Sequence, residues 1–263
     1  MPGKSNIEWT NKTWNPVTGC EKVSKGCDHC YAETFAERFR GVPGHPYEQG
    51  FDLKLWPDRL NIPLQWKKPT TIFTNSMSDL FHKDVPDDFI MQVFETMNKA
   101  SWHTFQVLTK RPSRVALIAH ELTWTKNIWL GTSVESQDYT WRIDKLCQVP
   151  AKIRFVSAEP LLGPLDLRKW LKWCPECEWP HGEWQDCGHC ETYPEVRGLD
   201  WIITGAESGH GARPMSEDWV RSLRDQCVNS GRSFFYKQNA LNGRKVPTPE
   251  LDGQRWMQFP VEM

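Results

Sequence analysis

Residues 71–100 read TIFTNSMSDLFHKDVPDDFIMQVFETMNKA. The first five, TIFTN, are short, β-branched and apolar, as a buried strand requires. Pro86-Asp87-Asp88 then opens a stretch, FIMQVFETMNKA, whose apolar residues recur at helical spacing. This strand-then-helix unit repeats along the chain. Thr104–Thr109 (TFQVLT) precedes a helix opened near Pro112 and Ser113. Asn127–Val134 (NIWLGTSV) precedes a charged helix from Asp138 to Cys147. Ile153–Ser157 (IRFVS) runs into the loop EPLLGPL, and Leu199–Thr204 (LDWIIT) runs into GAESGHGARP and a helix from Ser216 to about Gly231. Ser233–Gln238 (SFFYKQ) comes last. About six units result. Their strands are nearly continuous in apolar residues, which predicts burial on both faces and a parallel sheet. The expected class is α/β, as a partial or full parallel (β/α) barrel or an open doubly wound sheet; periodicity alone does not separate these.

Polar residues gather just past the apolar part of each strand: Asn75, Ser76 and Asp79; Lys110 and Arg111; Thr132, Ser133 and Glu135; Glu159; Glu207; Lys237 and Gln238. In barrels and open sheets this carboxyl edge is where ligands bind. Helix capping explains Ser78, Ser136 and Ser216 equally well. It explains the recurrence of Glu135, Glu159 and Glu207 at one edge less well. Lys110, Arg111 and Arg114 form a small basic group that could meet a phosphate or simply begin a solvated helix.

The chain has 263 residues, 39% hydrophobic and 25% charged, with a formal net charge of −1. Its length suits one large α/β domain, and a barrel in particular. The near-neutral charge argues against a protein that grips duplex DNA by bulk electrostatics. Fifteen tryptophans are expected mainly as core and rim fillers, Trp9, Trp14, Trp66, Trp124, Trp129 and Trp141 among them. The sequence holds no apolar run long enough for a membrane span, and its first residues lack the apolar core of a secretory signal. A reducing cytoplasm is therefore expected, where nine cysteines point to metal rather than disulfides.

Cys20, Cys27 and Cys30 lie in TNKTWNPVTGCEKVSKGCDHCYAETFAERF with the spacing C-x6-C-x2-C. Gly19 and Gly26 let the loop fold back. The run after Cys30 has Tyr31, Phe35 and Phe39 at intervals of four, the spacing of a helix with one apolar face. Three thiolates leave one iron of a 4Fe–4S cube without a protein ligand. Zinc with His29 as a fourth ligand is the alternative, although His29 stands awkwardly between Cys27 and Cys30. The spacing alone decides neither.

Three cysteines in one loop after a first strand, on a β/α barrel, resemble the radical S-adenosylmethionine (SAM) superfamily. The gap of six residues departs from the superfamily's usual three, and His29 stands where that superfamily usually has an aromatic residue near the adenine. Four segments resemble a family of uncharacterised bacteriophage and prophage proteins with three-cysteine, radical-SAM-like sequences: TWNPVTGCEKVSKGCDHCYAE, TNSMSDLFH, SAEPLLGPL, and DWIITGAESGHGARPM with FFYKQ. The resemblance implies a radical SAM barrel spanning residues 1–263 as a single domain. It implies a 4Fe–4S cluster on Cys20, Cys27 and Cys30, SAM chelating the fourth iron, and a reductant supplying one electron. SAM cleavage would yield a 5′-deoxyadenosyl radical that takes a hydrogen atom from a substrate. Phage context suggests a nucleic acid or nucleotide for that role. By the same resemblance, Asn75, Ser76 and Asp79 are expected near the SAM amino group and Thr132, Ser133 and Glu135 near its ribose, with Glu159, Glu207 and His29 facing SAM or substrate.

Two further segments break the repeat. Arg40–Asn61 reads as a loop or lid, and Asn239–Met263 as a polar tail. A third, residues 173–197, is a cysteine-rich insertion. Cys174, Cys177, Cys187 and Cys190 have the spacing C-x2-C-x9-C-x2-C, which predicts a structural zinc site, with a second iron–sulfur cluster as the alternative. Cys147 and Cys227 are expected as buried thiols. A zinc-stabilised nucleic-acid-binding phage protein without catalysis is the competing function. It accounts for the cysteines and tryptophans but not for the polar residues at the strand ends.

Overall fold

The computed structural model describes residues 5–171, 198–207, 211–241 and 244–260. The cysteine-rich insertion, with Cys174, Cys177, Cys187 and Cys190, lies outside the described residues. Strands β1 (Lys12–Trp14), β4 (Thr71–Thr74), β5 (Thr104–Thr109), β6 (Ile128–Ser133), β7 (Arg154–Ala158), β8 (Trp201–Gly205) and β9 (Ser233–Leu241) pair in parallel and in chain order, and β10 (Arg244–Pro247) closes the series antiparallel to β9. Helices α1 (Tyr31–Glu37), α2 (Ile62–Gln65), α3 (Asp87–Lys99), α4 (Pro112–Ile118), α5 (Trp141–Leu146), α6 (Arg168–Leu171) and α7 (Glu217–Asn229) fill the connections. Short strands β2 (Val17–Thr18) and β3 (Lys54–Leu55) pair with each other.

The order decides between the two architectures. Crossovers between parallel strands are right-handed. A strand order without a reversal therefore sends every crossover helix to one face, whereas a doubly wound sheet needs a reversal. The sheet curls around its helix-free face. Its edges β1 and β10 do not pair among the described residues, so the barrel is partial. Lys245 of β10 reaches back to Glu8, just before β1, at 2.7 Å.

Side chains alternate accordingly. Ile72, Phe105, Val107, Ile128, Leu130, Val156, Ile202 and Phe234 pack toward the helices, against Ile90, Val93, Phe94 and Met97 of α3 and Val220, Leu223 and Cys227 of α7. Phe73, Trp129, Phe155, Trp201, Ile203 and Phe235 point to the concave side around Trp9. Trp129 on β6 and Trp201 on β8, two strands apart, meet edge to face at 6.2 Å, as only a curled sheet allows. Gly131 leaves the space that Phe155 fills: a Cβ there would lie 2.3 Å from its ring. Full burial of each such ring contributes about 1.5–3 kcal/mol. The aromatic plug fills the amino-terminal half of the concavity. Above it the concave positions turn small and polar (Ser133, Ser157, Glu159, Lys237), and there the carboxyl rim opens.

The structure corrects four local expectations. Periodicity shows six strands, and β1, the first strand that the resemblance sets before the cysteine loop, is a seventh that KTW is too short to announce. Residues 239–260 are not a tail: β9 runs on into β10, the pair β11 (Glu250–Leu251) and β12 (Gln254–Arg255) follows, and Leu251 is buried. In α1 the buried residues are Ala32 and Ala36, while Tyr31 and Phe35 are 58% and 44% exposed. Of the three serines expected as caps, only Ser216 caps, accepting from the Asp218 N–H at 3.2 Å. Ser216→Ala is expected to lower stability by about 1 kcal/mol, read as a shift of the urea midpoint at constant slope.

Candidate active site at the carboxyl rim

The chain leaves β1 at Trp14, turns through Asn15 and Pro16, and delivers the cysteine loop onto the carboxyl rim. Asn15 fixes this exit: its Oδ1 accepts from the Met77 N–H at 3.0 Å and the Ser76 hydroxyl at 3.2 Å. Gly19 has φ of +85°, and a Cβ there would lie 2.2 Å from the Asp52 carbonyl, so only glycine passes. Gly26 serves a different need. A Cβ would sit 2.3 Å from the Glu135 side chain, so the bare backbone lets the loop rest on that residue.

Two buried carboxylates hold the loop down. Glu135, fully buried, accepts from the Ser24 hydroxyl at 2.7 Å on Oε1 and from Arg142 at 2.9 Å on Oε2, and Lys110 Nζ stands 3.3 Å from Oε1. Burial raises its carboxyl pKa, but Lys110, Arg142 and Ser24 together outweigh that and hold it below the usual value. Glu207 grips the other side. It accepts from His29 Nδ1 at 2.9 Å and from the Arg213 side chain and backbone at 2.6–3.0 Å. Arg213 in turn reaches the Lys25 carbonyl at 2.9 Å and Asp28 at 3.3 Å.

Burial would raise the Glu207 carboxyl, but the bonds from Arg213 and then His29 lower it to about 2, from 4.5. A depressed acid stabilises the fold above its unfolded value and loses that contribution as pH falls through the folded one. Stability is therefore expected to decline between about pH 4.5 and pH 2 as this group protonates. Glu207→Gln should flatten that part of a pH–stability curve, measured by urea melts; an unchanged curve would refute the assignment.

The three thiols are free and partly exposed. Yet among the described residues the only His, Cys, Asp or Glu trio with donor atoms within 4.8 Å of one another is Glu21, His82 and Asp84. A single tetrahedral ion with Zn–S of about 2.3 Å would bring its sulfurs to about 3.8 Å apart. The three Sγ atoms do not all lie within 4.8 Å of one another. His29, the alternative fourth ligand, has Nδ1 on Glu207. The Glu21 trio already holds a cation, because Lys83 Nζ lies 3.1 Å from Glu21 and 3.0 Å from Asp84. His82 Nδ1 accepts from the Asp84 N–H, so its Nε2 carries the proton of the neutral ring.

A family profile matches residues 4–260, described as a protein of unknown function, DUF5131. The chain belongs to the DUF5131 family. No curated protein matches it. Two solved structures of spore photoproduct lyase resemble it, one complexed with dinucleoside spore photoproduct and one a mutant with AdoMet and the same dinucleoside bound. Each has 11% identity, a TM-score of 0.45, and covers 82% of this chain and 61% of that one. The chain thus spans less than two thirds of that enzyme.

Within this DUF5131 chain the other rim residues divide. Asn75, at φ of +65°, donates to Ser78 at 2.6 Å, while its buried Oδ1 has no partner. The Ser76 carbonyl accepts from the Tyr31 hydroxyl. Ser133 and Glu159 face the concave side. Glu159 accepts from Ser157 at 3.0 Å and pairs with Lys237 at 3.1 Å, over Gly205, where a Cβ would lie 2.8 Å from its Oε1. Thr132 falls on the helix side by alternation and donates to the Thr109 carbonyl at 2.8 Å. Asp79 is filled from within, accepting from Thr109, the N–H groups of Phe81 and Lys110, and Arg111. The basic trio is likewise committed: Lys110 to Glu135, Arg111 to Asp79, and Arg114 to Asp87 and the carbonyls of His82 and Val85. Arg142, on α5, escaped the sequence reading because a buried arginine looks the same as a helix-surface one. No helix among the described residues is long and apolar enough to cross a membrane.

Proposed function

We propose that this protein is a radical SAM enzyme whose 4Fe–4S cluster is held by Cys20, Cys27 and Cys30. The observation that carries the reading is the seating of three free thiols on the carboxyl rim of a parallel partial barrel. The donor set suits iron–sulfur ligation, thiolate by thiolate, and leaves one iron for a small chelating molecule. The unpartnered Asn75 Oδ1 supports the same reading, since a buried acceptor at the rim suits an ammonium donor such as the amino group of SAM.

When bound, cluster and SAM supply reductive SAM cleavage and hydrogen-atom abstraction. The chain supplies the rest. Glu135 and Glu207 pin the cysteine loop from two sides. Arg111 holds Cys20. Ser133, Glu159 and Lys237 line the concave mouth beneath, above an aromatic floor that closes the barrel to water from below. Thr132 and Asp79 act as braces in this account, and Glu135 as the seat of the loop, in place of the direct SAM contacts expected of them. A one-electron reductant is the required partner.

The test is anaerobic reconstitution with iron and sulfide, followed by incubation with SAM and dithionite. Reductant-dependent 5′-deoxyadenosine is the expected product. Its absence from protein carrying a full cluster would overturn the reading.

A further inference from the structure

Arg111 makes an arrangement that the fold does not require. It sits just beyond β5, mostly buried, and its guanidinium serves three acceptors. Nη1 donates to Asp79 Oδ2 at 3.0 Å and to Cys20 Sγ at 3.4 Å, while Nη2 donates to the Glu21 carbonyl at 3.1 Å. Its backbone N–H is fixed on the Thr109 hydroxyl at 2.8 Å. Asp79, held by three other donors, the Thr109 hydroxyl and the N–H groups of Phe81 and Lys110, acts as the stop that aims the fork. The result is a cation with a directed N–H on one ligand sulfur, and the described contacts give neither Cys27 nor Cys30 an arginine.

We propose that Arg111 is a positioning residue that sets the reduction potential of the cluster through its N–H and charge at Cys20. This rests on the cluster reading above. Hydrogen bonds to ligand sulfurs and local net charge are two of the protein's levers on cluster potential. Reduction by one electron from an external donor adds one negative charge to the cluster and breaks no bond in the protein. A cation and N–H donor at a ligand sulfur stabilise that reduced state more than the oxidised one, so Arg111 raises the midpoint. Asp79 partly offsets this charge, so Arg111 and Asp79 act in opposite directions.

The test is the midpoint potential of the reconstituted holoprotein, measured by dithionite titration with electron paramagnetic resonance and absorbance, alongside iron and sulfide counts. Arg111→Gln is expected to keep the metal content and to weaken reduction about tenfold, a fall of about 59 mV for one electron. Asp79→Asn should move the midpoint upward, and Arg111→Lys, which keeps the charge without the fork, should fall between wild type and Arg111→Gln. Should Arg111→Gln fail to retain iron, the Lys and Asn variants decide by their opposite signs. Full clusters with unchanged midpoints in these variants would overturn the role of Arg111 and leave the cluster reading standing. Wild-type protein that assembles no iron–sulfur cluster would overturn both.

Discussion

Cys27→Ala is expected to abolish iron–sulfide incorporation and 5′-deoxyadenosine formation together, while leaving the metal-free fold intact. The Cys27 Sγ lies 3.7 Å from the Ser24 hydroxyl, and its side chain is partly exposed. Its loss removes one of the three thiolate anchors of the proposed cluster. Two thiolates leave two irons open to solvent, which a four-iron cube does not survive. The metal-free chain loses only a partly exposed thiol, a change usually within about 0.5 kcal/mol. Iron and sulfide assays with a urea melt separate the two effects. A variant that still makes 5′-deoxyadenosine would refute the ligand assignment.

Glu135→Leu is expected to cost about 3–5 kcal/mol, the usual penalty for removing one partner of a buried ion pair. Arg142 would lose its carboxylate in a site where it is 2% exposed, keeping the Ser133 carbonyl and the ring faces of Tyr139 and Trp141, and Lys110 would lose its counter-charge. Ser24 would lose its acceptor, so the cysteine loop should also become more open to proteolysis near Lys22 and Lys25. Glu135→Gln keeps the shape and some of the bonds and should cost less. A loss under about 1 kcal/mol for the leucine variant would show that Glu135 does not anchor the loop.

The sheet was legible in the sequence because strands buried on both faces leave short apolar runs. TIFT, TFQVLT, IWLGTS, RFVSA and WIITG each fall within a residue or two of the expected span. Partial closure was not legible, because it depends on strand order, which no local pattern encodes. β1 was missed for brevity, and β10 to β12 because edge and hairpin strands half open to solvent look polar. α1 misled for another reason: Tyr31, Phe35 and Phe39 do share one spacing, but Phe35 packs on Phe39 and Tyr47 at the surface, and the alanines turn inward.

At the site, the cysteines and the recurrent rim acids could be read directly. The use of those acids could not. Glu135, Glu207 and Asp79 each end on donors that include at least one from a distant part of the chain: Ser24 and Lys110, besides nearby Arg142, for the first; His29, besides nearby Arg213, for the second; Arg111 and Thr109 for the third. Only the fold brings those partners together. Arg213 and Glu207 lie six residues apart, and the structure ties them together at 2.6 Å.

The most direct measurement is the electron paramagnetic resonance spectrum of the reconstituted, dithionite-reduced protein with and without SAM. The account predicts the signal of a reduced four-iron cluster that changes shape when SAM is added, because SAM takes the iron that no thiolate holds. A signal indifferent to SAM, or a protein that binds a single zinc ion at Cys20, Cys27 and Cys30 and takes up no sulfide, would contradict it.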